Sequence, residues 1–382
     1  MDSATVTRTE RRDQGADPDP IQMRSVIAPL AAIAFGLAMA AMLGEIGVRV
    51  LAPQPLQHIQ LDDQIYFVNR PFARFTYSRE DEYSIEVTYN AWGFRGPIPA
   101  SNPPLGVTRI VLIGDSQTEG LQVHYEETYG EVLRRNLERL LPDRHFEVIN
   151  LAVSAYGTHQ EVLTLRRYGP RVRPCWVVLG FYPGNDLADN VRLPLVAEDT
   201  NGVRLAEHRF SIGHRLWLGT KVWLGSVSHL YTLLVSRGKA LFSRPLSRAG
   251  ILEPSAPPVA GESRPLVLTE QLLLIARNDA TSLGSRLIVL MIPERAQIMR
   301  PAASEPSSQD AVDHQFVGWF EHARILYLAT STALRAAYRR GERAFFLRDG
   351  HLNATGHRIV GEALADRMAP LIQNSTEDSC AR

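Results

Sequence analysis

Five short β-rich runs punctuate the chain, at residues 109–113, 146–150, 176–182, 286–292 and 344–347, and helical patterns stand between them. The runs are near-continuously apolar rather than alternating, the pattern of strands buried on both faces. The helical stretches begin at Tyr129 ("YGEVLRRNLERLL"), His159 ("HQEVLTLRRYG"), Thr269 ("TEQLLLIARNDATSL") and His322 ("HARILYLATSTALRAAYRR"), and a last one runs from about 354 to 371. Strand–helix alternation of this kind predicts an α/β protein in three layers, a parallel sheet with helices on both sides. In such sheets binding and catalytic groups collect beyond the carboxyl ends of the strands.

Ahead of this pattern lies a polar tail, residues 1–25, rich in Asp, Arg and Pro and read as disordered. Residues 26–44, "VIAPLAAIAFGLAMAAMLG", carry no charge, about the length that crosses a hydrocarbon core as a helix. The run is apolar on every face, unlike the stripe of a soluble core helix. Residues 26–48 are therefore read as an uncleaved transmembrane signal anchor. The alternative is a secreted protein cleaved near the small residues Ala38–Ala41. Arg8, Arg11, Arg12 and Arg24 precede the run and only Arg49 follows closely, which places the amino terminus in the cytoplasm and the bulk of the chain outside. Lys plus Arg and Asp plus Glu both number 41, so no net field exists to attract nucleic acid. The two cysteines, Cys175 and Cys380, are too few for a disulfide scaffold and lack metal-ligand spacing; they read as two separate thiols.

Two regions interrupt the alternation. Residues 49–104 contain "YSIEVTYNAWGFRGP", an alternating strand and glycine-rich turn, and form a juxtamembrane β element. Within a main domain at 105–375, residues 190–265 hold "HRLWLGTKVWLGSVSHLYTLLVS" and then the Pro- and Ser-rich "PSAPPVAGESRP", a cap-like insertion with a flexible exit. Its Trp and Leu residues could equally face a membrane. Residues 376–382 are a tail.

The strand ends carry the chemistry. "RIVLIGDSQTEG" ends the first apolar run in Gly114, Asp115 and Ser116. A serine there can be a nucleophile beside a helix dipole that favours developing negative charge. It can equally be an N-cap that merely starts a helix. After the second run comes "NLAVSAYGTHQ", after the third "FYPGNDLADN", and near the carboxyl terminus "RDGHLNATGH".

These four blocks, in this order at these strand ends, resemble the SGNH hydrolases, or GDSL esterase/lipase family, over roughly residues 107–372. The resemblance implies a flavodoxin-like SGNH fold with Ser116 as nucleophile, His351 as its base and Asp349 orienting the imidazole. It implies an oxyanion hole from the Ser116 N–H, a backbone N–H at Ala155 or Gly157, and the Asn185 amide. No metal or organic cofactor is implied. Three departures stand out. Gln117 replaces the leucine of the GDSL name; the family's usual glycine falls on Ala155; and the carboxylate and histidine are spaced Asp-x-His, as in membrane-associated members that handle polysaccharide acetyl groups. The G-x-S-x-G elbow of α/β-hydrolases is absent.

Other polar residues receive plainer readings. Asp115 and Asp186 brace the loops through backbone amides, and His357 is a surface or cap residue on the last helix. The chain is expected to be a membrane-anchored, extracytoplasmic serine esterase acting on small acyl esters, with an acetylated glycan as one candidate substrate. The alternatives are an O-acyltransferase modifying a cell-surface glycan, or a non-catalytic glycan-binding or assembly protein on the same fold.

Overall fold

The computed structural model describes residues 20–193, 195–199, 202–205, 210–241, 263–300 and 307–374. The tail up to residue 19, most of the Pro- and Ser-rich linker, Cys380 and the carboxyl-terminal tail lie outside the described residues.

The larger of two compact units comprises Gln57–Ser226 and Phe242–Arg382. Its centre is a five-stranded sheet of β1 (Val107–Gly114), β2 (His145–Asn150), β3 (Trp176–Phe181), β4 (Arg286–Met291) and β5 (Leu326–Ala329). All neighbours are parallel and the spatial order is β2-β1-β3-β4-β5. That is the flavodoxin-like order, in which the chain reverses direction across the sheet between β1 and β3. Residues alternate between two apolar layers. Val111, Ile113, Val177, Leu179 and Val289 enter one core, and Ile110, Leu112, Val178, Ile288 and Leu290 the other. The helices Thr158–Val172, Ser263–Ser282 and Ser308–Ala323 cover the first layer; Tyr129–Leu140, Ser331–Arg339 and Ala354–Gln373 cover the second. Two-sided burial is why the strands read as continuous apolar runs.

One strand is not where the sequence predicts it. Residues 344–347 join no sheet ladder; Phe345 instead makes an isolated antiparallel bridge to Leu352. The fifth strand is Leu326–Ala329, inside the stretch expected to continue as helix. Arg324, left-handed at φ 54°, ends the helix Ser308–Ala323, and the four residues after Ile325 pair with β4 alone. A half-buried edge strand this short leaves no period of its own, so pairing with β4 overrides local helical preference.

Two antiparallel hairpins precede the sheet in the same unit: Ile59–Asp62 with Tyr66–Asn69, and Arg74–Arg79 with Tyr83–Thr88. Within 190–265 the chain forms a hairpin of Val196–Asp199 and Gly202–Leu205, then the helices Ile212–Val227 and His229–Leu241.

The smaller unit comprises Met1–Leu56 and Val227–Leu241. Its long helix Pro20–Leu51 contains a stretch, Ala28–Leu51, of length and apolar composition sufficient to cross a membrane, with none of it buried.

Candidate active site

The sequence that ends β1 forces a tight turn. An added Cβ at Gly114 would lie 2.2 Å from Thr118 Oγ1, and one at its β3 neighbour Gly180 would lie 2.1 Å from the same atom. The two glycines let a single helical turn, Ser116–Glu119, sit down on the strand ends at the β1/β3 switch point. The N-cap of that turn is Asp115, whose Oδ1 accepts the Gln117 N–H at 2.9 Å. Ser116 is thus not the cap. Its hydroxyl is hydrogen-bonded to His351 Nε2 at 2.8 Å.

His351 Nδ1 is in turn bonded to Asp349 Oδ1. Both residues sit on a loop closed by Gly350 N–H to the Phe346 carbonyl at 3.2 Å and Phe346 N–H to the His351 carbonyl at 2.9 Å. Gly350 has φ +86°, a conformation open to glycine, and this reversal turns the two side chains of the short Asp-x-His spacing toward each other. Burial alone would raise the Asp349 pKa, but hydrogen bonds from His351 and Tyr83 outweigh it and hold the carboxyl at about 2. An ionised carboxylate on Nδ1 fixes the tautomer that leaves Nε2 to accept the serine proton.

Sequence reading missed what braces Asp349. The hairpin at 74–88 supplies Tyr83, whose hydroxyl donates to Asp349 Oδ2 at 2.7 Å, and Arg79, 3.4 Å from the same oxygen. Glu82 accepts the backbone N–H groups of Arg348 and Asp349 at 2.7 and 2.9 Å. Gln117, where the family motif has leucine, accepts the Leu352 N–H at 3.2 Å and so ties the serine turn to the histidine loop. A buried Glu119 accepts bonds from Asn69 and Tyr89 on one oxygen and from the Ser154 N–H on the other, at 2.7–2.9 Å. That last contact fastens the loop after β2 to the serine turn.

On this loop Ala155 is left-handed, φ 64°, a conformation that glycine adopts more readily than alanine. Among the described residues the N–H groups of Ser116 and Ala155 make no backbone or side-chain hydrogen bond. The Gly157 N–H is aimed at Gln160 Oε1, 3.4 Å away, as Gly157 caps the helix Thr158–Val172. Asn185 caps the helix Asp186–Arg192, and its amide donates one hydrogen to Asp115 Oδ2 at 3.2 Å, leaving the second N–H of the same group. Asp115 is fully buried, which raises its pKa to about 6 against the pull of these hydrogen bonds. Asp186 accepts the Tyr182 N–H at 2.8 Å, and so braces its loop.

His357 departs from its surface reading. It is 1% exposed, and its Nδ1 accepts the Tyr129 N–H at 3.2 Å, an orphan donor at the start of another helix. Burial, with the charges of Arg95 and His351, holds its pKa down at about 3. It is a neutral acceptor, separate from the Ser116–His351–Asp349 chain.

A hydroxyl, an imidazole and a carboxylate linked in series, beside undonated N–H groups at a strand end, can activate the hydroxyl and hold a developing oxyanion. In comparison with known proteins, residues 258–380 match the family model "SGNH hydrolase-like domain, acetyltransferase AlgX". That segment contains Asp349 and His351 and stops short of Ser116, Ala155 and Asn185. No curated protein sequence matches the chain. Similar solved structures include TesA, at 13% identity and TM-score 0.39, over 69% of this chain and 99% of that one. A catalytic mutant of Axe2, an acetylxylan esterase from Geobacillus stearothermophilus, aligns at 14% identity and TM-score 0.38, over 68% and 94%. A member of the lipolytic protein G-D-S-L family from Veillonella parvula DSM 2008 aligns at 13% identity and TM-score 0.37, over 70% and 100%.

Proposed function

We propose that the chain transfers or hydrolyses a small acyl group, such as O-acetyl, through an acyl–Ser116 intermediate, a reading supported by the match of residues 258–380 to an SGNH hydrolase-like domain. The observation that carries this reading is the continuous hydrogen-bonded series Ser116–His351–Asp349, with Nε2 2.8 Å from the serine oxygen. In the proposed mechanism Ser116 Oγ attacks the ester carbonyl while its proton passes to His351 Nε2. Asp349, kept ionised, stabilises the imidazolium. The oxyanion is held by the N–H groups of Ser116 and Ala155 and by the remaining amide N–H of Asn185. Gly157 is the weaker candidate for the second donor, because its N–H is turned to Gln160. His351 then protonates the leaving alcohol; an incoming hydroxyl gives up its proton to the same nitrogen as it takes the acyl group, and His351 passes that proton on to the departing Ser116 Oγ.

Whether that hydroxyl belongs to water or to a sugar separates an esterase from an O-acyltransferase. The family match, whose name includes an acetyltransferase, supports keeping the transferase as the second reading. The apolar helix Ala28–Leu51 supports a membrane anchor, and the arginines that precede the apolar run, Arg8, Arg11, Arg12 and Arg24, support placing the catalytic domain outside the cytoplasm, where a surface glycan would be within reach.

A fluorophosphonate probe should label the parent at Ser116 and leave Ser116→Ala and His351→Ala unlabelled at matched thermal stability. Labelling undiminished in Ser116→Ala would reject the nucleophile. With an acyl donor in hand, adding acetyl-free glycan should lower the yield of free acid if the enzyme is a transferase and leave it unchanged if water is the acceptor.

A further inference from the structure

The span Ala28–Leu51 contains one acidic residue, Glu45. A carboxylate at membrane depth is costly unless it is partnered. Glu45 has four partners, all within the smaller unit. Arg49 lies 2.9 Å away, and the Ser228 hydroxyl donates at 2.8 Å. The backbone N–H groups of His229 and Leu230 donate at 3.0 and 2.9 Å. Glu45 therefore caps the amino terminus of the helix His229–Leu241, filling donors that this helix leaves open. The packing is close: a Cβ at Gly44 would lie 3.1 Å from Leu230 Cδ2, so the glycine makes room for the second helix. Arg49 also donates to the Val227 carbonyl at 2.9 Å. The contacts thus pass from 49 with 227 to 44 with 230, and the two helices start out antiparallel.

The second helix reads "HLYTLLVSRGKAL", with no acidic residue and no Lys or Arg before Arg237. At 13 residues it is about 20 Å long, too short to cross a core of about 30 Å. Its Leu234 is 62% exposed, as are Leu43 at 61% and Met42 at 50% on the long helix. We propose that the helix His229–Leu241 is a second membrane-embedded element, entering the bilayer antiparallel to the long helix and clamped to it by Glu45. Its occupant is lipid: the exposed apolar side chains continue the lipid-facing surface of the helix against which it packs. This rests on reading Ala28–Leu51 as a membrane helix, so the test carries a control for that reading.

The full-length protein, with Cys175→Ser and Cys380→Ser, is labelled with a polarity-sensitive fluorophore at Leu37→Cys or Leu234→Cys and placed in phosphatidylcholine vesicles. Leu37, 67% exposed on the long helix, reports the anchor. The expected result is blue-shifted emission at both positions, quenched by nitroxide-bearing lipid and protected from aqueous iodide. Glu45→Ala should remove lipid quenching at 234 and keep it at 37. Lipid quenching at 37 with iodide quenching at 234 would overturn the proposal and leave the anchor standing. Iodide quenching at both would overturn the anchor reading and the proposal together. Lipid quenching at 234 that survives Glu45→Ala would refute the clamp.

Discussion

Acidification should unfold this protein in part through His357, and the size of the effect follows from its burial. The imidazole is neutral in the folded state because burial holds its pKa at about 3, against an ordinary value of 6.5. A histidine depressed on folding contributes stability above its unfolded pKa and loses it as pH falls from 6.5 toward 3, because the unfolded chain takes up a proton that the native chain refuses. Each pH unit in that window costs about 1.4 kcal/mol, so the loss is about 2 kcal/mol by pH 5 and on the order of 5 kcal/mol when complete. His159, buried and held at about 4 beside Asn190, adds a similar slope. Raised carboxyls such as Asp115 act in the opposite direction, so the parent curve alone cannot isolate one group. The difference between parent and His357→Gln can, because glutamine offers a carbonyl to the Tyr129 N–H and does not titrate. Urea unfolding of the full-length protein in detergent, from pH 8 to 5, should show the variant's deficit shrinking by about 2 kcal/mol. Parallel curves across that range would mean that His357 is accessible to protons in the folded state, and the burial argument would fail. Activity at pH 7.5 should change little; a dead variant would move the base from His351 to His357.

Three further outcomes are expected. Asn185→Ala should lower kcat by about 100- to 1000-fold with little change in KM, since its amide serves charge present only in the transition state; an effect confined to KM would make it a substrate-binding residue. Asp349→Asn should cost on the order of 10⁴-fold in kcat, by loss of the orienting carboxylate, while Tyr83→Phe should cost far less, because the carboxylate and its bond to His351 remain; a loss as large as that of Asp349→Asn would mean that Asp349 cannot orient the imidazole without the tyrosine hydroxyl. Ala155→Gly should keep the backbone donor and raise thermal stability by up to about 1 kcal/mol, through relief of a left-handed alanine; a loss of stability would mean that the alanine methyl packs favourably enough to offset the strain.

The sequence by itself determined what is local or periodic. Strands buried on both faces must be continuously apolar, so β1 to β4 were legible, as was the helix Ala354–Gln373, with Asn353 capping it through the Gly356 N–H. Ser116, Asn185, Asp349 and His351 could be singled out as candidates because each follows a recognisable strand or precedes a helix, and strand ends are where a parallel sheet gathers its polar groups. Only the tertiary structure decided matters that depend on distant residues meeting. Leu326–Ala329 is a strand because β4 offers it an edge, with no pattern in its four residues to announce it. Whether Ser116 capped a helix or met a base turned on Asp115 taking the cap and on a histidine 235 residues away taking the hydroxyl. Tyr83, Arg79 and Glu82 lie on what reads as an ordinary solvated hairpin, and they brace Asp349 from more than 260 residues away. His357 looks polar and therefore exposed, yet it is buried because an orphan N–H at the start of another helix needs an acceptor there. A one-residue pattern carries hydrophobicity and local hydrogen bonding; it does not carry the identity of a partner that folding alone brings within 3 Å.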